Sequence, residues 1–226
     1  MGGRGTSSGV GGSSRSFNTM SQANDFFGVG QGDGMFPEWE RAVPDDEKES
    51  AILYTKQAYI PMNKLLREGE AAFQKWLETH HDSYFHGDAA LIREHAARIE
   101  RAMDKFNLTE NITVWRGGSN RLVGGATTVE ELKAMVGSIV HDNGVMSTAV
   151  TRGGMWDKSG GKNIGYEIEV PKGRGRGVFI DPVSAHKGEQ EFMVRPGTKF
   201  KITGAYTDTH GDVICKLKAI YPKKRK

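Results

Sequence analysis

The chain divides by pattern into a glycine and serine opening, a helical first half and a strand-rich second half. From Pro44 onward apolar side chains recur at helical spacing: Ala51, Ile52, Thr55, Ala58 and Tyr59. Pro44-Asp45-Asp46-Glu47 reads as the start of this helix, with proline near the first turn and acids beside the positive end of the dipole. Pro61 breaks or restarts it, and the following turn, Met62 to Arg67, stops before Gly69. The spacing predicts a third helix over Ala71 to Thr79 and a fourth over Asp88 to Phe106. The apolar stripe of the fourth runs through Leu91, His95, Ile99, Met103 and Phe106.

After Asn111 the period shortens. Short runs separated by Gly, Pro and Asn predict strands at Ile112 to Trp115, Val145 to Ala149, Ile164 to Val170 and Val178 to Ile180. Further strands are predicted at Glu189 to Val194, Lys199 to Tyr206 and Val213 to Ile220, and one helix, Val129 to Val140, interrupts the series. Helices first and strands later argue for an α+β domain rather than alternating βαβ units.

Gly and Ser dominate residues 1 to about 35, leaving too little apolar surface to offset the entropy of ordering. Residues 1–43 therefore read as a flexible arm, with Phe26, Phe27, Met35 and Phe36 as loose anchors at its end. Residues 44–222 read as the ordered domain and 223–226, Lys223-Lys224-Arg225-Lys226, as a basic tail.

Composition narrows the functional classes. The 226 residues are 37% hydrophobic and 26% charged, as in soluble globular proteins. A formal net charge of +3 does not suggest binding to nucleic acid through bulk electrostatics. The single cysteine, Cys215, excludes an internal disulfide and a cysteine-based zinc site, and its alternation with Val213, Leu217 and Ala219 predicts a core position. His80, His81 and His86 cluster without metal-ligand spacing, so no metal is expected. No apolar run reaches membrane-spanning length, and the N-terminus lacks the pattern of a Sec signal. Gly173-Arg174-Gly175-Arg176-Gly177 mimics part of a dinucleotide fingerprint but joins two strands instead of opening a helix, so it reads as a turn.

The chemistry concentrates in Gly188-Glu189-Gln190-Glu191-Phe192. Strand alternation would place Glu189 and Glu191 on one face, with Gln190 and Phe192 on the other. Paired carboxylates shift each other's proton affinity and supply acid, base or cation-stabilising groups, although a solvated strand face has the same pattern. Arg116 closes the run Thr113-Val114-Trp115 and precedes Gly117-Gly118, where backbone can approach a ligand closely; a guanidinium there suits a pyrophosphate. Ser147-Thr148-Ala149 places hydroxyls on a later strand.

In this order, Arg116, Ser147-Thr148-Ala149 and Glu189-Gln190-Glu191 resemble the Arg, Ser-Thr-Ser, Glu-x-Glu signature of the mono-ADP-ribosyltransferase family. The resemblance is to its clostridial-toxin-like branch of exoenzymes, which includes binary toxins, plant-pathogen effectors and phage- or prophage-encoded transferases. It extends to Tyr54-Thr55 with Tyr59, Asn63, Leu66 and Arg67, and to Pro196 through Ile202, covering about residues 45 to 220. Ala149 stands where the family has its second serine, and Gly117 where some members have a second arginine.

The resemblance implies helices packed on a two-sheet β core and NAD as substrate, without a metal. It implies that Glu191 stabilises the oxocarbenium-like transition state, that Ser147 orients it and that Arg116 clamps the phosphates. Tyr54, Tyr59, Gly117 and Thr148 would complete the NAD site, and Trp156 is the candidate to stack on nicotinamide. Glu189, two residues before the catalytic glutamate, implies transfer to an arginine of a target protein, where family members with Gln modify asparagine or a related group. The loop Asp181 to Gly188 would meet that target. A monomeric effector is expected, secreted or injected into a target cell, or acting in the host cytoplasm if phage-encoded. Two alternatives stand beside this reading: an NAD glycohydrolase, and an inactive binding or virion module.

Overall fold

The computed structural model of the chain describes residues 14–155 and 163–221. Seven helices come in its first two thirds: α1 (Met20–Phe27), α2 (Met35–Ala42), α3 (Asp45–Leu53), α4 (Tyr59–Glu68), α5 (Glu70–Leu77), α6 (Ala89–Lys105) and α7 (Val129–Ala134). The strands are β1 (Asn107–Leu108), β2 (Ile112–Ser119), β3 (Ile139–Asp142), β4 (Met146–Ala149), β5 (Asn163–Val170) and β6 (Gly173–Arg174). They continue with β7 (Gly177–Phe179), β8 (Glu191–Val194), β9 (Thr198–Thr207) and β10 (Val213–Ile220).

Eight strands form one ladder in the order β3-β9-β10-β5-β2-β4-β8-β7, while β1 and β6 pair separately. The ladder has a seam. β2 and β5 pair over eight residues each, from Ile112 opposite Val170 to Ser119 opposite Asn163, whereas β2 meets β4 only where Trp115 faces Ala149. The two-sheet core expected from the sequence thus takes the form of two sheet halves joined at a single residue pair. Side chains can reach into the opening between the halves without breaking a regular ladder.

The predicted arm is corrected for residues 14–43. They fold: Phe17, Phe27, Phe36 and Trp39 are buried. Phe27 stacks on Phe179 with ring centroids 4.2 Å apart, and Trp39 Nε1 donates to the Ala102 carbonyl at 2.9 Å, fastening α2 to α6. The glycines that read as slack have a steric reason. Gly28 ends α1 at φ 76°, and a Cβ there would lie 2.7 Å from the Asp33 carbonyl oxygen and 2.9 Å from the Gly34 Cα. Residues 1–13 and the tail 223–226 lie outside the described residues.

The helix broken at Pro61 does restart. A π turn over Tyr54–Ala58, with Lys56 at φ −79° and ψ −158°, separates α3 from α4 and leaves Pro61 in the first turn of α4, where its missing N–H costs nothing. The buried stripe of α6 is Ile92, Ala96, Ile99 and Met103, rotated from the predicted one, so Leu91 and His95 are only half buried. The predicted helix Val129 to Val140 ends at Ala134. Gly137 takes φ 95° and turns the chain into β3, which pairs with β9. Cys215 is fully buried, as its alternation predicts.

Candidate active site

An open cleft of about 490 Å³ lies at the seam, walled by the π turn and α4 on one side and by β2, β4 and the start of β8 on the other. Its lining includes Tyr54, Tyr59, Arg116, Gly117, Ser147, Thr148, Glu189 and Glu191. The residues singled out on separate segments of sequence therefore converge, with the exception of Trp156, which lies outside the described residues.

The strand register explains the convergence. Ala149 pairs with Glu191 and Ser147 with Met193, so Ser147 and Glu191 are diagonal neighbours on one face of β4 and β8. Ala149, in the place of a second serine, is itself buried against this pairing. Thr148 points the other way and donates to the Phe192 carbonyl at 2.6 Å, tying the two strands together. Arg116 reaches across the seam from β2, and its Nη1 donates to the Ser147 carbonyl oxygen at 2.6 Å. No carboxylate among the described residues pairs with it, so the rest of its guanidinium is open to an anionic ligand.

The predicted alternation of the glutamates fails. β8 begins only at Glu191, and Gln190 adopts a left-handed backbone with φ 62°. Glu189 is therefore exposed on the preceding loop while Glu191 is buried at 7% exposure; both still border the cleft. Burial is the main cause of a rise in the Glu191 pKa to about 7. The negative charges of Glu189 and Asp181 add to the rise, while a hydrogen bond from Ser147 and the charge of Arg116 oppose it. The carboxyl is thus poised to change charge near neutrality.

The opposite wall is organised around one carbonyl. Tyr54, Asn63 and Arg67 all donate to the Val145 oxygen, at 2.9, 3.2 and 3.2 Å. Burial pushes the Tyr54 phenol up to about 12, which keeps it protonated as a donor; its oxygen accepts from Asn63 Nδ2 at 2.9 Å and lies 3.4 Å from Ser147 Oγ. Arg67 also forks onto Asp142 at 2.7 and 2.8 Å. These contacts need Gly144, where a Cβ would come 2.5 Å from Asn63 Oδ1 and 2.7 Å from Arg67 Nε. Asn63 and Arg67 were noted in the sequence only as part of a helix pattern. Their i, i+4 spacing on α4 is the signal that puts both on the cleft wall.

Tyr59 is 46% exposed, with its ring centroid 6.1 Å from that of Tyr54. It offers an aromatic face at the rim. The arrangement combines a guanidinium on the cleft wall, an aromatic rim and a buried carboxyl with a hydroxyl on the same strand face. Such a cleft can bind a phosphate-bearing ligand and stabilise positive charge that develops beside it.

No curated protein matches the sequence. Among solved structures, the C3 exoenzyme of Clostridium limosum is 18% identical, with a TM-score of 0.67 over 92% of this chain and 98% of that one. Plx2a, an ADP-ribosyltransferase toxin from Paenibacillus larvae, is 18% identical with a TM-score of 0.68 over 89% and 96% of the two chains. C3stau2 from S. aureus, solved with NAD, is 16% identical with a TM-score of 0.68 over 92% and 99%. These likenesses show the fold. A sequence model described as ADP-ribosyltransferase exoenzyme matches residues 31–220, and the chain belongs to that family.

Proposed function

We propose that the chain is an NAD-dependent mono-ADP-ribosyltransferase that modifies an arginine of a target protein. The observation that carries this reading is the meeting, in one cleft, of the Arg116 guanidinium, which has no carboxylate partner among the described residues, with the buried carboxyl of Glu191, with Ser147 between their strands.

Arg116 binds the pyrophosphate of NAD, and Tyr59 covers the dinucleotide at the rim. The bond between ribose C1′ and the nicotinamide nitrogen breaks, and its electron pair leaves with nicotinamide, which becomes neutral. Positive charge then develops on the ribose ring. Ionised Glu191, aimed by the hydrogen bond from Ser147, stabilises that charge as a carboxylate does in glycoside cleavage.

A guanidine nitrogen of the target then forms the new bond to C1′ and loses a proton. An arginine side chain, with a pKa above about 12, is a poor nucleophile until a base orients it and takes that proton. Glu189 supplies such a base: it borders the cleft yet stays exposed, where a protein acceptor can reach it.

The test is incubation with labelled NAD and a cell lysate. The reading predicts label on a discrete protein, released by arginine-specific chemistry, and lost in both Glu189→Gln and Glu191→Gln. Consumption of NAD without protein label would instead identify a glycohydrolase, and no consumption at all an inactive module.

A further inference from the structure

The left-handed backbone at Gln190 has a cause within the fold. Asp181, buried at 5% exposure, begins the loop that ends in the two glutamates, and its Oδ1 accepts from two backbone amides at the far end, Gly188 N at 3.0 Å and Gln190 N at 2.6 Å. One carboxylate oxygen thus closes the neck of the loop 182–189. The main chain beside it is also tied, with Ile180 N donating to the Glu191 carbonyl at 3.0 Å and Val150 N to that of Gln190 at 2.9 Å. The Thr151 hydroxyl donates to the Gln190 side-chain oxygen, and Thr55 Oγ1 accepts from Ala185 N at 2.9 Å. Between these ties Ala185, His186, Lys187, Gly188 and Glu189 stand exposed.

We infer that Asp181 is a positioning residue for the acceptor step: by pinning the Gly188 and Gln190 amides it holds Glu189 at the cleft rim, and so sets whether the ribosyl group passes to protein or to water. This inference rests on the transferase reading above. Glu189 borders the cleft from outside β8, so nothing in the strand ladder fixes its direction. The turn that aims it is tied at its neck by the pair of amide contacts at Asp181 and by the Gln190 contacts to Val150 and Thr151, and within the loop by a longer 3.4 Å contact from Glu189 N to the His186 carbonyl. Glu191 is held by its place in β8, paired with β4, so loosening the neck acts first on Glu189; loss of the Asp181 charge also eases ionisation of Glu191, an effect that Asp181→Ala and Asp181→Asn share.

Two variants separate the hydrogen bonds from the charge. Asp181→Ala removes the acceptor; Asp181→Asn removes the charge and keeps an oxygen that can accept from both amides. In full-length protein, transfer to an arginine-containing acceptor and hydrolysis of NAD are measured side by side, with hydrogen exchange of the 182–190 segment. For Asp181→Ala the inference expects transfer to fall on the order of a hundredfold, the scale that about 1 Å of misplacement costs. Hydrolysis should change by less than about threefold, and exchange at Gly188 and Gln190 should accelerate. Asp181→Asn should restore both transfer and protection. Equal losses of transfer and hydrolysis, or unaltered exchange in Asp181→Ala, would overturn the inference. If wild type consumes NAD but labels no acceptor, the transferase reading fails instead, and the exchange result alone decides whether Asp181 pins the loop.

Discussion

Arg116 on β2 and Ser147 on β4 are joined by a 2.6 Å hydrogen bond from the Arg116 guanidinium to the Ser147 carbonyl, across the seam that Trp115 and Ala149 hold with a single strand pair. One guanidinium nitrogen is committed to the scaffold, and the side chain lines the cleft. A lysine has a point charge and no fork, so it cannot hold the Ser147 carbonyl and a pyrophosphate in the same fixed geometry. Arg116→Lys should therefore lower kcat/KM for NAD by about tenfold to a hundredfold, the equivalent of one charged hydrogen bond worth about 1.5–3 kcal/mol. The loss should appear mainly in KM, and steady-state nicotinamide release measures it.

Glu191 makes activity and stability run against each other with pH. Its pKa is raised to about 7 from 4.5, so the native state resists ionising it. The stability this group contributes is fully present below its unfolded pKa and is lost as pH rises through about 7, a difference of about 3 kcal/mol. Glu191→Gln carries no such charge. It should be more stable than wild type at pH 8 and close to it at pH 4.5, as urea midpoints at the two pH values will show. Nicotinamide release by wild type needs the ionised form and should rise with pH through about 7. Glu189→Gln, which removes a neighbouring negative charge, should shift that rise to lower pH.

Phe27 tests whether the N-terminal segment belongs to the core. It is fully buried, stacked on Phe179, with Phe106 and Phe192 within 6.3 Å centroid to centroid. Phe27→Ala should cost about 3–5 kcal/mol in denaturant unfolding, as for a buried aromatic. A cost below about 0.5 kcal/mol would return residues 14–43 to the status of an arm.

The parts of this site that sequence reveals are those carried by local pattern. Arg116 ends a β-branched and aromatic run, Ser147 sits inside one and Glu191 begins one; each pattern alone was weak, and it was their order, through its resemblance to the Arg, Ser-Thr-Ser, Glu-x-Glu signature, that assigned them to one site, where the fold brings them together. Glu189 was assigned to the cleft by alternation, yet its direction follows from the left-handed turn at Gln190. That turn depends on Asp181, whose contact with Gln190 spans nine residues, beyond the reach of a period-two pattern. The glycines at 28 and 34 misled in the same way. Their composition matches a linker, and only the approach of one glycine backbone to the other shows that they build a tight turn. Strand β3 was hidden because Ile139 and Val140 continue the apolar pattern of α7; Gly137, with its positive φ, was the available signal for a break.

In the proposed reaction Glu191 stabilises the charge that develops as the bond between nicotinamide and ribose breaks, in the cleft that Arg116 lines. The most direct measurement is nicotinamide release from NAD by the purified chain, wild type against Glu191→Gln, at pH 8, with NAD binding of both proteins measured in parallel. Wild type should release nicotinamide, and Glu191→Gln should lose on the order of a hundredfold or more of that rate while still folding and binding NAD. Release by Glu191→Gln at the wild-type rate would contradict it.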